Sequence, residues 1–380
     1  MLWVWWFLAA AMIAEAILTL VKIFRFRSFF LNELGAPVWG FTHWPRVALI
    51  APFKGIDPDL RLNIDSWFAL EYPNFKIFFV VDSEKDPAVG VLHQYPGVEL
   101  MIAGKAGDSG QKIHNLRYAI ERIPEEFDVF AFVDSDCRVN PDWLNSLVAR
   151  LMRSPECVAT GYRWYVNGSG FGSLLRAVWN SSVLTLLTED AKNNFAWGGS
   201  TAMMRSTFER IRVFEFWKSS VSDDYGVTRA AHAGGAPIHF VPGALAFHHD
   251  TTTVTGFLEW AFRQLLITRV YNPRLWAFAF VYHCAWILWL LIGIAYPFYF
   301  IPLFVLIQCV QMMKAEIRLD CVQRVRTSGS SGIHYHYWAL GPVIGFLNFL
   351  LLTATVFTRR IKWRGIEYVL EGPDKIKIQH

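Results

Sequence analysis

Residues 128–140 read DVFAFVDSDCRVN: an unbroken apolar run, Val129 to Val133, delivers two aspartates, Asp134 and Asp136, separated by one serine. A short run with no polar alternation is the mark of a strand covered on both faces, as in a parallel sheet flanked by helices. Residues two apart on an extended chain point to the same side, so both carboxylates can face one ligand.

The pattern repeats upstream. RVALIAPF (46–53), FKIFFVVD (75–82) and VELMIAG (98–104) are further apolar runs ending in polar residues, with helix-like stretches between them at 58–71, 86–95 and 110–122. Strands alternating with amphipathic helices predict an α/β domain with a mostly parallel, Rossmann-like sheet. Such sheets bind ligands beyond the carboxyl ends of their strands, where this chain carries Pro52, Lys54, Asp82, Asp134 and Asp136. Farther along, PDWLNSLVARLM (141–152) reads as a helix and VATGYRWYV (158–166) as a strand.

The 380 residues are 53% hydrophobic, and the mean hydropathy is +0.27, high for a soluble enzyme. The excess lies in three blocks: 1–24, with only Glu15 and Lys22 charged, and 275–313 and 335–357, with no Asp, Glu, Lys or Arg. About 20 apolar residues cross a bilayer, so the middle block accommodates two spans turning near Pro297. The first block lacks a basic start and a small-residue cleavage site, and is expected to be a retained anchor rather than a cleaved signal. Tryptophans at block edges, Trp3, Trp5, Trp6 and Trp276, suit an aromatic belt.

The net charge is +4, and Lys22, Arg25, Arg27, Arg318, Arg324, Arg326, Arg359, Arg360, Lys362 and Arg364 all flank apolar blocks. That placement predicts anionic lipid as their neighbour, a cytoplasmic catalytic side (a bacterial inner membrane or its equivalent), and no nucleic-acid partner. Gly341, Pro342 and Gly345 would let the last block dip in and return, because a full span would leave one basic flank on the wrong side. Five cysteines without a CxxC pair argue against a disulfide framework and a zinc site. The expected divisions are an anchor (1–30), a catalytic domain (31–255), an interfacial helix (256–274), a transmembrane hairpin (275–313), and a linker, re-entrant or membrane helix and basic tail (314–380). Residues 171–187, interrupted by Arg176 and Asn180, suit a helix at the membrane surface or lining an acceptor groove. The one low-complexity stretch is the loop TSGSSG (327–332).

Several stretches carry chemistry. Asp134 and Asp136 offer hard oxygen ligands suited to Mg²⁺ or Mn²⁺, although a solvated turn has the same sequence. GDSGQKIHNL (107–116) leads small residues into a helix whose backbone N–H groups, with Lys112, suit a phosphate. Lys54 and Asp82 are placed to meet a nucleotide's base and ribose. AWGGSTAMMR (196–205) puts Gly198 and Gly199 where a loop could pass closely over a sugar, and VSDDYG (221–226) pairs Asp223 with Asp224. His248, His249 and Asp250 form a metal-like cluster, more often a structural strand end. Arg263, Gln264 and Arg269 lie in the apolar helical stretch 256–272.

In their order, APFKGIDPDL, VVDSEKDPA, SGQKIHNL, VDSD, WGGSTAMMR, SDDYG and IKWRGIEY resemble the family 2 glycosyltransferases, and within them the ceramide glucosyltransferase-like branch. The resemblance covers about 46–270 plus the tail. It implies a glycosyltransferase-A fold and an inverting transfer of one sugar from a UDP-sugar donor to a lipid hydroxyl. By it, Asp82 would bind uridine, Asp134 and Asp136 would hold the Mn²⁺ or Mg²⁺ diphosphate, Asp224 would be the base, and Asp223 its neighbour. The family's closing Arg-Trp is missing from RQLLITRVY (263–271), leaving Arg263, Gln264 or Arg269 to serve the diphosphate. That departure favours single transfer over a processive polysaccharide synthase. A polyprenyl-phosphate sugar transferase and a membrane sugar-nucleotide sensor with a dead site are the remaining rivals.

Overall fold

The computed structural model describes residues 1–38, 40, 43–166, 168–249, 251–325 and 335–379. Asp250, Arg326 and the TSGSSG loop at 327–332 lie outside the described residues. The chain divides into two compact units.

The first unit comprises 33–166, 186–250 and 360–380. Its strands in chain order are β1 (Val47–Pro52), β2 (Phe75–Val81), β3 (Glu99–Ile102), β4 (Val129–Val133), β5 (Val158–Thr160), β6 (Arg163–Tyr165), β7 (Ser200–Met204), β8 (Ile238–Phe240), β9 (Ala246–His248), β10 (Arg360–Trp363), β11 (Ile366–Gly372) and β12 (Lys375–Gln379). Seven make one sheet in the order β3-β2-β1-β4-β7-β5-β8. The first four are parallel, with Val47 opposite both Phe75 and Val129. β7 is antiparallel to β4 and β5, while β5 and β8 are parallel. All of β1 and β4 is buried, as unbroken apolar runs require of a sheet covered on both faces. Ile50, Phe78, Val80, Phe130, Phe132 and Met203 pack there with Ile113 and Leu116 of helix Gln111–Ile120. The mixed, mostly parallel α/β architecture is the one expected from the sequence.

Chain order turns back between β1 and β4, so the loops after these neighbouring strands diverge and leave a crevice at their carboxyl ends. β6 pairs in parallel with β9, Tyr165 opposite His248. The last twenty residues, which composition alone marks as a basic tail, form an antiparallel sheet, β10-β11-β12.

The second unit comprises 1–32, 167–185 and 251–359. Three of its helices are long and apolar enough to cross a membrane: Leu2–Leu34, Pro273–Gly293 and Pro297–Gln323; Gly341–Val356 is shorter. Large apolar side chains such as Phe7, Leu18, Phe278 and Phe298 face outward, the surface a bilayer would cover. Trp5 departs from the belt expectation. It is fully buried, and its Nε1 donates to the Trp289 carbonyl at 3.2 Å. Helix Phe171–Leu184 buries the two residues that interrupt its apolar run, Arg176 and Asn180, and Trp179 donates to Asn348 Oδ1 at 2.7 Å.

Candidate active site

β4 ends at Val133, and the next three residues set Asp134 and Asp136 at the crevice mouth. Asp134 Oδ1 lies 2.6 Å from Lys112 Nζ, and the same ammonium lies 2.9 Å from Asp223 Oδ2. Lys112 is the second residue of helix Gln111–Ile120, and Asp223 the first of helix Asp223–Ala233. The loops ahead of these helices are tied by Gly110 N–H to the Ser220 carbonyl at 2.8 Å. One lysine thus joins the strand-end aspartate pair to the SDDYG motif.

The charges are strongly coupled. Burial alone would lower the Lys112 ammonium, but Asp134 and Asp223 outweigh it and raise it. Burial likewise opposes ionisation of Asp134, yet Lys112, with His248 and Arg163, holds that carboxyl below its ordinary range. Asp223 goes the other way: burial, with Asp224 and Asp134 nearby, pushes it up to about 6 despite Lys112.

Gly198 and Gly199 pass close to these groups. A Cβ on Gly198 would overlap Asp223 Oδ2 and lie 2.9 Å from its Cγ and 3.1 Å from Lys112 Nζ; one on Gly199 would lie 2.8 Å from Asp134 Oδ2. The close approach expected over a sugar is here made to the carboxylates themselves.

Asp224 sits beside this cluster at the helix N-terminus. Its Oδ1 accepts from Tyr225 N–H at 2.8 Å and from the Ser222 hydroxyl, and Ser222 caps the same helix. At the ends of β1 and β2, Lys54 donates to Asp82 Oδ2, while Asp82 Oδ1 is buried without a hydrogen-bond partner among the described residues. An orphaned buried oxygen is costly and suits a donor supplied by a ligand. Pro52 closes β1, and the next N–H, of Phe53, bonds the Val80 carbonyl at 2.8 Å.

Arg263, Gln264 and Arg269 belong to helix Val254–Tyr271 of the membrane unit. Arg269 donates to the Thr355 and Thr358 carbonyls, closing the end of helix Gly341–Val356, and lies 5.5 Å from the Trp276 ring centroid. Gln264 offers its carbonyl to Thr268 at 2.8 Å.

Residues without an assigned role in the sequence complete the first unit's site. Asp57, in APFKGIDPDL, is buried; its Oδ2 accepts from Ser135 Oγ at 2.5 Å and its Oδ1 from Arg364, in IKWRGIEY. Arg163 on β6 lies 5.6 Å from the Trp197 ring, and its charge helps lower Asp134. Asp57 and Arg364 stand in stretches that carry the resemblance, but Arg364, expected among the basic residues beside anionic lipid, meets a buried carboxylate instead, and Arg163 stands in a stretch read only as a strand.

Two donor sets could take a cation. Asp134 and Asp136 offer carboxylate oxygens, the first held ionised, and fit Mg²⁺ or Mn²⁺. Asp136, Cys137 and His248 bring oxygen, sulfur and nitrogen within 4.8 Å of one another. Burial and the charges of Asp136 and Asp134 hold the Cys137 thiol protonated, its pKa well above the usual, and Sγ sits 3.3 Å from His248 Nε2. A soft thiol suits Mg²⁺ or Mn²⁺ poorly, so the carboxylate pair is the better fit.

The main sheet thus carries paired carboxylates at its switch point, in a chain with three described helices long and apolar enough to cross a membrane. The chain belongs to glycosyl transferase family 21, whose model matches residues 4–376. It is 33% identical over 120 residues to a ceramide glucosyltransferase of Komagataella phaffii, a stretch covering 28% of this chain and 23% of that protein. It is 21% identical over 243 residues to ceramide glucosyltransferase 1 of Caenorhabditis elegans, covering 61% of this chain and 51% of that protein. The matches thus span from about a quarter to half the length of these relatives. Among solved structures, mannosyltransferase PcManGT from Pyrobaculum calidifontis, in complex with GDP-Man and Mn²⁺, is similar with a TM-score of 0.49 and 15% identity, covering 92% of this chain and 97% of that chain.

Proposed function

We propose that the protein transfers a single sugar from a UDP-sugar to the hydroxyl of a ceramide-like membrane lipid, with inversion at the anomeric carbon. The observation that carries this reading is the Lys112 bridge, which ties the strand-end Asp134 to Asp223 beside Asp224. It gathers the groups that a donor diphosphate and an acceptor hydroxyl need.

In this reading the orphaned Asp82 Oδ1 accepts a hydrogen bond from the uridine, with Lys54 fixing the other oxygen. Asp134 and Asp136 hold Mn²⁺ or Mg²⁺, which neutralises charge on the diphosphate when bound. Lys112 keeps Asp134 ionised and holds Asp223 against Gly198. Asp224, oriented by Ser222 and the Tyr225 N–H, takes the acceptor proton as its oxygen attacks the anomeric carbon, a role worth roughly 10² to 10⁴ in rate. Arg263, Gln264 and Arg269 stay the side chains proposed for the departing diphosphate, and the last of them also bonds the Thr355 and Thr358 carbonyls. The lipid acceptor is met from the bilayer, which makes its encounter with the donor effectively intramolecular, at the cytoplasmic face.

The test is UDP release by detergent-purified protein with Mn²⁺ or Mg²⁺, across panels of UDP-sugars and lipid acceptors, with Asp224→Asn alongside. Release that requires a lipid alcohol and disappears in the variant is the expected result. Release that survives the substitution removes Asp224 as base and favours a polyprenyl-phosphate acceptor, whose oxygen carries no proton to remove. Release that needs no acceptor at all counts against lipid transfer.

A further inference from the structure

The antiparallel sheet at the chain's end is held to the catalytic unit at separated points. Arg229 grips Asp374 through both nitrogens, at 2.6 and 2.7 Å. The Tyr368 hydroxyl accepts from Gln111 N–H at 3.2 Å, at the N-terminus of the helix that carries Lys112. Ile361, Tyr368 and Leu370 are buried beneath the sheet.

What these anchors present is the β10–β11 turn. Arg364 there has φ +50° and Gly365 φ +81°. A left-handed arginine is an uncommon conformation, kept where surrounding contacts over-determine it. Its guanidinium meets buried Asp57, and the other Asp57 oxygen takes the hydroxyl of Ser135, the residue between Asp134 and Asp136. The Ser135 carbonyl is held as well, by Asn63 Nδ2 at 3.1 Å. A continuous chain of polar contacts therefore runs from the last hairpin to the middle of the aspartate pair. Without the guanidinium, Asp57 Oδ1 would lose this partner, and the carboxyl that holds the Ser135 hydroxyl would no longer be fixed at its other oxygen.

We infer that the C-terminal hairpin is a working part of the site, with Arg364 as the positioning residue that holds the Asp134–Asp136 loop ready for its cation through Asp57 and Ser135. This rests on the cation assignment made above and adds to it a dependence on the chain's last twenty residues.

The full-length protein in detergent, loaded with UDP, is titrated with Mn²⁺ by calorimetry. Arg364→Gln, Arg364→Lys, Asp57→Asn, Ser135→Ala and the double variant Arg364→Gln/Asp57→Asn are compared with Asp134→Asn. Unfolding midpoints without metal and UDP release against Mn²⁺ concentration are recorded alongside. Arg364→Gln should weaken Mn²⁺ binding at least tenfold, Arg364→Lys should recover part of it, and Ser135→Ala should weaken it in a protein that unfolds normally. The double variant should bind Mn²⁺ no worse than Arg364→Gln, because both changes break one chain of contacts. Unchanged Mn²⁺ binding in both Arg364→Gln and Ser135→Ala, with Asp134→Asn defective, overturns the inference and leaves the cation assignment standing. Normal Mn²⁺ binding in Asp134→Asn fails the cation assignment itself. Should Arg364→Gln not fold, Arg364→Lys and Ser135→Ala still decide the matter.

Discussion

Gly198→Ala is the smallest change that should disable the site. The added Cβ would overlap Asp223 Oδ2 and stand 2.9 Å from the carboxyl carbon, whereas ordinary contacts begin at 3.4 Å. The carboxyl group must therefore retreat by about 0.5 Å at its carbon, and further at the oxygen. That oxygen is 2.9 Å from Lys112 Nζ, so the retreat stretches or breaks one arm of the bridge to Asp134. Overpacking of this kind costs about 1 to 3 kcal/mol. A misplacement on the order of 1 Å in a catalytic constellation costs about 10²-fold in rate. The expected outcome is a fall of about a hundredfold in kcat for UDP release, with a lower unfolding midpoint by intrinsic fluorescence. Gly90→Ala is the control, because nothing lies within 4 Å of its added Cβ and its φ is not left-handed. Wild-type turnover in Gly198→Ala, or an equal loss in Gly90→Ala, would refute the steric argument.

Lys112→Met removes the ammonium between Asp134 and Asp223 and should destabilise the protein by about 3 to 5 kcal/mol at pH 7, read by chemical denaturation of the catalytic unit's signal. The raised Asp223, about 6 against 3.8 when unfolded, means the folded state binds that proton more tightly. Its contribution to stability is therefore full below pH 3.8 and lost as pH rises through about 6. Asp223→Asn should remove that part of the decline in a pH series of unfolding midpoints for metal-free protein. Asp82→Asn loses the charged partner of Lys54 and should weaken UDP binding by about 10- to 100-fold in calorimetry, taking about 1.5 to 3 kcal/mol for a hydrogen bond to a charged group.

The sequence displays the first half of the main sheet plainly because β1 and β4 are buried throughout and carry no polar interruption, while β2 is broken only by Lys76 near its start. The second half is hard to see for a physical reason. VATGYRWYV (158–166), read as one strand, is two three-residue strands in different sheets, β5 and β6, while β8 also has only three residues and β7 runs antiparallel, a direction that composition does not encode. The final sheet hides differently: KIKIQ in β12 alternates charged and apolar residues, so its basic side reads as a tail. Within the site, Asp134 and Asp136 are legible because they follow directly on the unbroken apolar run of β4, although they stand in the turn after it rather than on the strand. The Lys112 bridge and the Arg364–Asp57 pair join residues distant in the chain, the latter 307 positions apart, and only the fold brings them together.

The second unit pairs charges carried inside its apolar helices. Glu15 stands out in the first apolar block as an expensive exception. Its carboxylate lies 3.8 Å from Lys314 Nζ, which also donates to Thr19 at 2.7 Å, and Arg27 pairs with Asp320 at 3.2 Å. The partners ascend together along Leu2–Leu34 and Pro297–Gln323, so these two helices run parallel. Trp5, near the start of the first, stacks on Trp289, near the end of Pro273–Gly293, at 6.3 Å, so those two run antiparallel. The end of the first helix, the start of the second and the end of the third therefore lie on one side, together with Arg25, Arg27, Arg318 and Arg324. That clustering is what a positive-inside arrangement requires and supports the cytoplasmic assignment proposed above. The sixteen residues of Gly341–Val356 rise only about 24 Å, short of the roughly 30 Å hydrocarbon core, so basic residues on both its flanks need not face opposite compartments.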